Sequence, residues 1–152
     1  MRFTKSLAVL ATVISGLAFA SAASAQTPNW QAQAAFGYVE LWPGFAPDPY
    51  GINVVAGGDM DAGRMGCYGY VASGQPDVDI YWGGSYTMTV YATSGADTTL
   101  LVRDPYGEWW CNDDWSGVDP GMTFQGRGEG LYSIWIGTWG GTADATLWVS
   151  EY

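Results

Sequence analysis

Side chains with oxygen ligands are concentrated in one short segment of the chain. Asn112, Asp113, Asp114 and Asp119 lie close together, and Asp97 precedes them. Carboxylate and amide oxygens are the ligands of Ca²⁺, which takes about six to eight of them. The spacing is not that of an EF-hand loop, and the same residue types cap turns through hydrogen bonds to the backbone. The segment therefore predicts either a calcium site or a set of turn caps, and turn caps are favoured.

Tryptophans near predicted turns form a second group of candidate binding residues. Exposed Trp beside carboxylates and amides binds sugars by ring stacking combined with hydrogen bonds. These candidates for ligand binding are Trp109, Trp110, Trp115 and Trp139. The alternative is that such rings only cover the ends of the fold, in which case the aromatic core consists of Trp82, Trp135 and Trp148.

The residue types that are missing restrict the chemistry. The chain has no histidine, and its one lysine is Lys5. Ser-His-Asp, Cys-His and Ser-Lys systems, Schiff bases and His-ligated zinc sites are therefore excluded. A glycosidase needs two carboxyls across a cleft, but with 15 acidic residues such a pair arises by chance. The protein is therefore expected not to be an enzyme, and a carboxylate hydrolase is the disfavoured alternative.

The charge balance limits the partners. The chain carries 5 Lys+Arg against 15 Asp+Glu, a net charge of −10. Beyond residue 25 the basic residues are Arg64, Arg103 and Arg127. Such a surface repels nucleic acid and anionic membranes. It suits cations, or neutral ligands that stack on aromatic rings.

The first 25 residues have the pattern of a secretory signal peptide. Arg2 and Lys5 precede an apolar run at 7–20, and Ala23-Ser24-Ala25 forms a small-residue cleavage site. The run is shorter than a membrane span, which needs about 18 apolar residues. We expect a secreted or periplasmic protein that begins at Gln26, with a short lead-in at 26–33 and one domain at 34–152.

The two cysteines, Cys67 and Cys111, are predicted to form a disulfide. An exported chain folds in an oxidising compartment, where pairing is the default. A reactive or metal-bound pair is the alternative, but the wide spacing does not favour it.

The remaining sequence shows the period-two alternation of β-strands and no helical stripe of useful length. Gly, Pro, Asn and Asp clusters separate the runs. About eight to ten short strands at this spacing predict an all-β fold, an antiparallel β-sandwich. The predicted strands are 36–42, 52–56, 65–72, 77–82, 86–93, 98–103, 108–111, 122–125, 131–138 and 143–150.

Several motifs resemble the bacterial prepeptidase C-terminal (PPC-type) domain family. They are an Asp-x-Asp strand, a "D-T-x-L" segment followed by Pro-x-Gly, an "N-D-D" turn, and a closing "G-x-Y" strand. In this sequence they stand at 76–81, 97–107, 111–114 and 130–137. Residues 44–50 and 56–58 further resemble a secreted proteobacterial subgroup with the same two cysteines, often named after peptidases although it lacks a protease domain.

The resemblance implies a PPC-like or jelly-roll-like sandwich that is not catalytic. In that family the module binds substrate or matrix, or assists the folding and secretion of an attached enzyme. We therefore expect a secreted binding or accessory module whose partners are carbohydrate, a matrix protein or another copy of the chain, with calcium as its candidate cofactor. The alternative is a structural unit of a surface layer or filament, because the strands at 87–93 and 142–150 carry little charge for edge-to-edge pairing.

Overall fold

A computed structural model describes residues 27–152, which form two β-sheets packed face to face. The predicted signal peptide at 1–25 lies outside the described residues. Within 27–152, no helix has the length and apolar character that crossing a membrane requires. The strands of this range are β1 (Tyr38–Leu41), β2 (Tyr50–Ala56), β3 (Met60–Asp61), β4 (Tyr70–Val71), β5 (Val78–Trp82), β6 (Met88–Ser94), β7 (Thr98–Arg103), β8 (Trp109–Asn112), β9 (Gly121–Phe124), β10 (Gly130–Thr138) and β11 (Ala143–Ser150), and Ala62–Met65 forms a 3₁₀ turn.

The sheets have seven and four strands. In the smaller sheet the order is β2-β11-β6-β9, and every neighbouring pair is antiparallel. In the larger sheet the long strand β10 pairs with β5, β7 and β4, while β1 pairs with β5 in parallel and β8 pairs with β7. The prediction of an antiparallel β-sandwich with one disulfide is confirmed.

The main core fills the space between the two sheets, and strand alternation selects its residues. In β11, Ala145, Leu147 and Val149 are buried, while Thr146 and Trp148 between them face outward. The opposite sheet contributes further apolar side chains to the same core. Each such Val, Leu or Ile contributes about 1.5–3 kcal/mol when it is fully buried.

A second, smaller core covers part of the outer face of the seven-stranded sheet. It contains Met60, Ala62, Cys67, Val71, Leu101 and Trp135. The predicted disulfide is confirmed: Cys67 in this cluster is bonded to Cys111 on β8, at a sequence separation of 44. Closing a loop of this length contributes about 4 kcal/mol in the chain-entropy model. The disulfide thus fastens the covering segment to the sheet edge.

Two predictions about individual strands are wrong. The segment 65–72 is not one strand, because Gly66 and Gly69 adopt positive φ angles of 77° and 73°, which interrupt the extended run. A 3₁₀ turn and the two-residue strand β4 take its place. The weakly charged strands at 87–93 and 142–150 are not sheet edges, since β6 and β11 are the two interior strands of the four-stranded sheet. They offer no free edge for assembly.

Candidate functional site

The outer face of the four-stranded sheet carries a line of three aromatic rings. Trp148 on β11 and Tyr91 on β6 are direct cross-strand partners, with ring centroids 6.3 Å apart and planes at 21°. Trp115, from the loop between β8 and β9, lies 5.8 Å from the Tyr91 ring. We call Trp148, Tyr91 and Trp115 the aromatic row. It crosses the strands, with Trp148 and Tyr91 nearly parallel and Trp115 inclined by 58° to Tyr91.

Glycines at the two ends of the aromatic row let the outer rings lie on the backbone. Gly51 on β2 pairs with Trp148, and Gly121 on β9 pairs with Tyr91. A Cβ at Gly51 would lie 2.6 Å from Cζ3 of Trp148, and a Cβ at Gly121 would overlap the Trp115 ring. Any other residue at these positions would therefore lift a ring from the sheet, as expected where a strand glycine admits close approach.

Hydroxyl and amide groups line one side of the aromatic row. Asn53, Thr146 and Thr93 form the neighbouring cross-strand line. Thr146 Oγ1 donates to Asn53 Oδ1 at 3.1 Å, and Trp148 Nε1 donates to Thr93 Oγ1 at 2.9 Å. The second bond fixes the orientation of the indole ring.

A similar polar line runs along the other side. Ser150, Thr89 and Thr123 are cross-strand neighbours, and the hydroxyls of Thr89 and Thr123 are 3.0 Å apart. The aromatic row is therefore flanked on both sides by neutral hydrogen-bonding groups.

Two depressions lie next to the aromatic row and adjoin at Thr93. One, of about 440 Å³, is lined by Tyr91, Trp115 and Asp119 among others. The other, of about 340 Å³, is lined by Asn53 and further residues of β2 and β11. Volumes of this size are in the range of small-molecule sites. Because both depressions open at the outer face, this surface accepts an extended ligand more readily than an enclosed one.

The loop that holds Trp115 is built from the predicted acidic segment. Asp119 closes the loop: its carbonyl accepts the backbone N–H groups of Trp115 and Ser116, each at 3.0 Å. Its carboxylate accepts from the Ser94 N–H at 3.3 Å, which ties the loop to β6. Asn112 Oδ1 accepts from the Gly121 N–H at 3.0 Å. Two of the five predicted calcium ligands thus accept backbone hydrogen bonds that position an aromatic ring.

The structure gives the calcium prediction no preformed site. Asp97 and Asp114 are exposed, and Asp113, next to Asp114, is partly exposed. Among residues 27–152, no group of three or more His, Cys, Asp or Glu side chains is arranged to hold a metal ion. Calcium binding and the turn-cap alternative both stay predictions, and the structure shows Asn112 and Asp119 each accepting a backbone hydrogen bond from another segment.

The other predicted tryptophans lie apart from the aromatic row. Trp109 packs in the second core with its ring 5.4 Å from Trp135. Trp110 packs on the main core and donates from Nε1 to the buried Asp104 at 3.0 Å, while the Arg127 guanidinium lies 4.3 Å from its ring centroid. Both side chains are therefore used in packing.

Trp139 is an exposed ring at a separate position. It lies in the turn between β10 and β11, is 52% exposed, and has the Tyr68 ring 6.1 Å away. Of the four predicted tryptophans, Trp115 alone belongs to the aromatic row.

The sequence predictions missed Tyr91 and misplaced Trp148. Trp148 was expected in the core, but it alternates with the buried Leu147 and Val149 and therefore faces outward. Tyr91 stands among threonines on the polar face of β6. An aromatic residue on the polar face of a strand is the signal that could have located both.

Comparisons with known proteins give little beyond this geometry. No protein-family model and no curated protein matches the chain. A solved structure, the periplasmic lysozyme inhibitor PliG of Aeromonas hydrophila, which inhibits g-type lysozyme, is similar at 15% sequence identity and a TM-score of 0.41. The match covers 78% of this chain and 98% of PliG.

Proposed function

We propose that this protein is a secreted, non-catalytic module that binds neutral glycans on the outer face of its four-stranded sheet. The observation that carries the proposal is the aromatic row, seated on Gly51 and Gly121 and flanked by hydroxyl and amide side chains. Membership in the PPC-type family, where the module binds substrate or matrix, forms part of the same proposal.

The chemistry of a sugar ring fits this surface. One face of a pyranose presents C–H groups, which pack on an aromatic ring, while its edge carries hydroxyls that exchange hydrogen bonds. Trp148 and Trp115 supply the stacking surfaces, and Thr93, Thr146 and Asn53 stand beside them as hydrogen-bonding partners. Successive ring centroids are 6.3 and 5.8 Å apart, so the aromatic row offers an extended chain more than one stacking position.

The negative charge around the aromatic row favours neutral or amino-bearing glycans over anionic ones. Asp119 and Asp144 border the two depressions, and no Lys or Arg lines either of them. Sulfated or uronic acid-rich chains would meet unfavourable electrostatics in this field. Neutral polysaccharides, or chains with amino groups, are the expected ligands.

Two further features support a binding module over an enzyme. The chain lacks histidine, and the Asp119 carboxylate, which lines the same depression as Trp115, accepts a backbone hydrogen bond. The signal-peptide pattern at 1–25 supports a secreted or periplasmic location.

The test is binding to a panel of neutral, amino and sulfated polysaccharides by pull-down and affinity electrophoresis. Wild type should bind at least one neutral or amino polysaccharide, and Trp148→Ala should weaken that binding about 30-fold, because truncation of a Trp that anchors a ligand costs about 2 kcal/mol. Trp148→Phe should restore part of the affinity, because the ring surface is retained.

The matched control is Trp139→Ala, which removes an exposed Trp that lies outside the aromatic row and should leave binding unchanged. Equal losses in Trp148→Ala and Trp139→Ala would contradict the proposal, as would the absence of binding to every member of the panel.

A further inference from the structure

The four-stranded sheet has one long open edge, at β2. The backbone of Tyr50–Ala56 pairs with β11 on one side, and within residues 27–152 no backbone hydrogen bond reaches its other side. The other edge strands of the two sheets are shorter: β1, β8 and β9 have four residues each and β3 has two, against seven in β2. An unpaired strand edge is a template for pairing with another strand.

This edge lacks the features that usually prevent such pairing. The sequence of β2, Tyr-Gly-Ile-Asn-Val-Val-Ala, contains no charged residue and no proline. Its seven pairs with β11 run without a bulge. In a chain with 15 acidic residues, an uncharged edge is the place where two copies can approach with least repulsion.

The side chains of β2 fit a second β2 that runs antiparallel to it. With a two-fold axis at Asn53, Tyr50 faces Ala56 of the second copy, Gly51 faces Val55, and Ile52 faces Val54. Two of these pairs set a large side chain against a small one, the third sets two β-branched residues side by side, and Asn53 meets its own copy, where two amides exchange hydrogen bonds.

At this edge the main core also leaves apolar side chains partly exposed. Ile52 and Tyr50 point inward and pack on the main core, yet each remains partly exposed, while Val55 on the outer face is 42% exposed. A second strand beside β2 would bury the remaining apolar surface of all three residues. Burial of apolar area is the main driving force of association.

We propose that β2 pairs with β2 of a second copy in an antiparallel, two-fold dimer. The two four-stranded sheets then form one eight-stranded sheet. An in-plane antiparallel pair keeps the same face of both copies upward, so the two aromatic rows share one surface. A long glycan could contact both rows, and its second contact would be intramolecular. The dimer itself does not depend on the proposed glycan binding.

Disulfide trapping tests the register of the proposed dimer. Residues directly opposite in an antiparallel pair have Cβ atoms about 4.5–5.5 Å apart, so Asn53→Cys should oxidise to a covalent dimer. The two native cysteines are already paired with each other. In Val55→Cys the two new thiols lie about 14 Å apart along the strands, which is too far to bond. This variant is the matched control, since it introduces the same thiol two residues away.

The free protein gives an independent readout. Wild type should show a concentration-dependent monomer–dimer equilibrium in sedimentation velocity. Asn53→Asp places two like charges face to face and should raise the dimer dissociation constant about tenfold, without a change in melting temperature of the monomer. Gln125→Glu, an equal charge change beyond β9, should leave the dissociation constant unchanged.

The proposal is overturned if wild type stays monomeric at every concentration, or if Asn53→Cys and Val55→Cys cross-link equally. It is also overturned if Gln125→Glu weakens the dimer as much as Asn53→Asp, since the interface would then lie elsewhere. Loss of glycan binding in Trp148→Ala with an intact dimer would leave this proposal standing, so the two proposals fail separately.

Discussion

Asp77 makes the stability of this fold depend on pH in a predictable direction. The side chain is 3% exposed, and its Oδ2 accepts from the Ile136 N–H at 2.7 Å. Burial raises the pKa of this carboxyl from 3.8 to about 7, against the smaller opposing effect of the Ile136 hydrogen bond. Removing a carboxylate from water penalises its charged form, so the folded protein holds the proton more tightly than the unfolded chain does.

The sign follows from proton linkage. Between about pH 4 and pH 7 the folded state carries a proton on Asp77 that the unfolded chain has released. The free energy of unfolding therefore falls as the pH rises through this window and levels off above pH 7. A pKa difference of about three between the two states corresponds to about 4 kcal/mol, as an upper figure.

The perturbation is Asp77→Asn, which keeps an acceptor for the Ile136 N–H and cannot ionise. Near pH 4 the variant should match wild type. At pH 8 it should be more stable by up to about 4 kcal/mol, because wild type then buries a charge. The assay is urea unfolding under non-reducing conditions, followed by tryptophan fluorescence at a series of pH values.

The control is Asp97→Asn, which removes one carboxylate from the exposed surface. Burial also raises the pKa of Asp79, in the same direction, so the quantity to compare is the difference between Asp77→Asn and wild type. If that difference does not change between pH 4 and pH 8, or if the variant gains most at low pH, Asp77 is ionised in the folded state and the reasoning is wrong.

Four further predictions concern other parts of the chain. Reduction of the disulfide should lower the melting temperature by many degrees, since each kcal/mol shifts a domain of this size by roughly 4 °C; an unchanged melting curve in reductant would contradict its stabilising role. Calcium should raise thermal stability beyond matched NaCl and Mg²⁺ controls if the acidic segment binds it, and Asp114→Ala should abolish that gain; turn caps alone predict no shift. Gly121→Val should displace Trp115 and weaken glycan binding with little loss of fold, as seen by binding and circular dichroism in parallel. Intact-mass analysis of exported protein should find Gln26 at the N-terminus, and a species that retains Met1 would contradict the signal-peptide prediction.

Strand alternation predicted strands such as β11, where one face is buried and the other is not, and 98–103 was also predicted although β7 is buried on both faces. The segments 98–103 and 143–150 were predicted with the bounds that β7 and β11 have in the structure. The prediction of a strand at 65–72 was wrong because Gly66 and Gly69 turn the chain locally. The alternation of apolar and polar residues carries no information about positive φ angles. The two-residue strand β3 was missed since two residues contain no period.

The aromatic row was harder to predict because its members meet only through sheet pairing. Trp148 and Tyr91 are cross-strand partners from distant parts of the chain, and nothing in the local sequence sets that register. The glycines under the rings also give no sign of this role in the sequence, since Gly51 and Gly121 look like ordinary turn residues next to their strands. Register depends on the whole hydrophobic pattern of both strands, so the site becomes visible only once the sheet is assembled.

The acidic segment and the tryptophan candidates, which looked like separate sites in the sequence, meet in one structural unit. Asn112 and Asp119 accept backbone hydrogen bonds from Gly121 and Ser94, and these bonds hold the loop that carries Trp115. These carboxylate and amide oxygens thus stabilise the conformation of the loop. An aromatic ring that is held before the ligand arrives loses less conformational entropy on binding. The polar residues of this loop therefore contribute to the proposed glycan site through the position of Trp115.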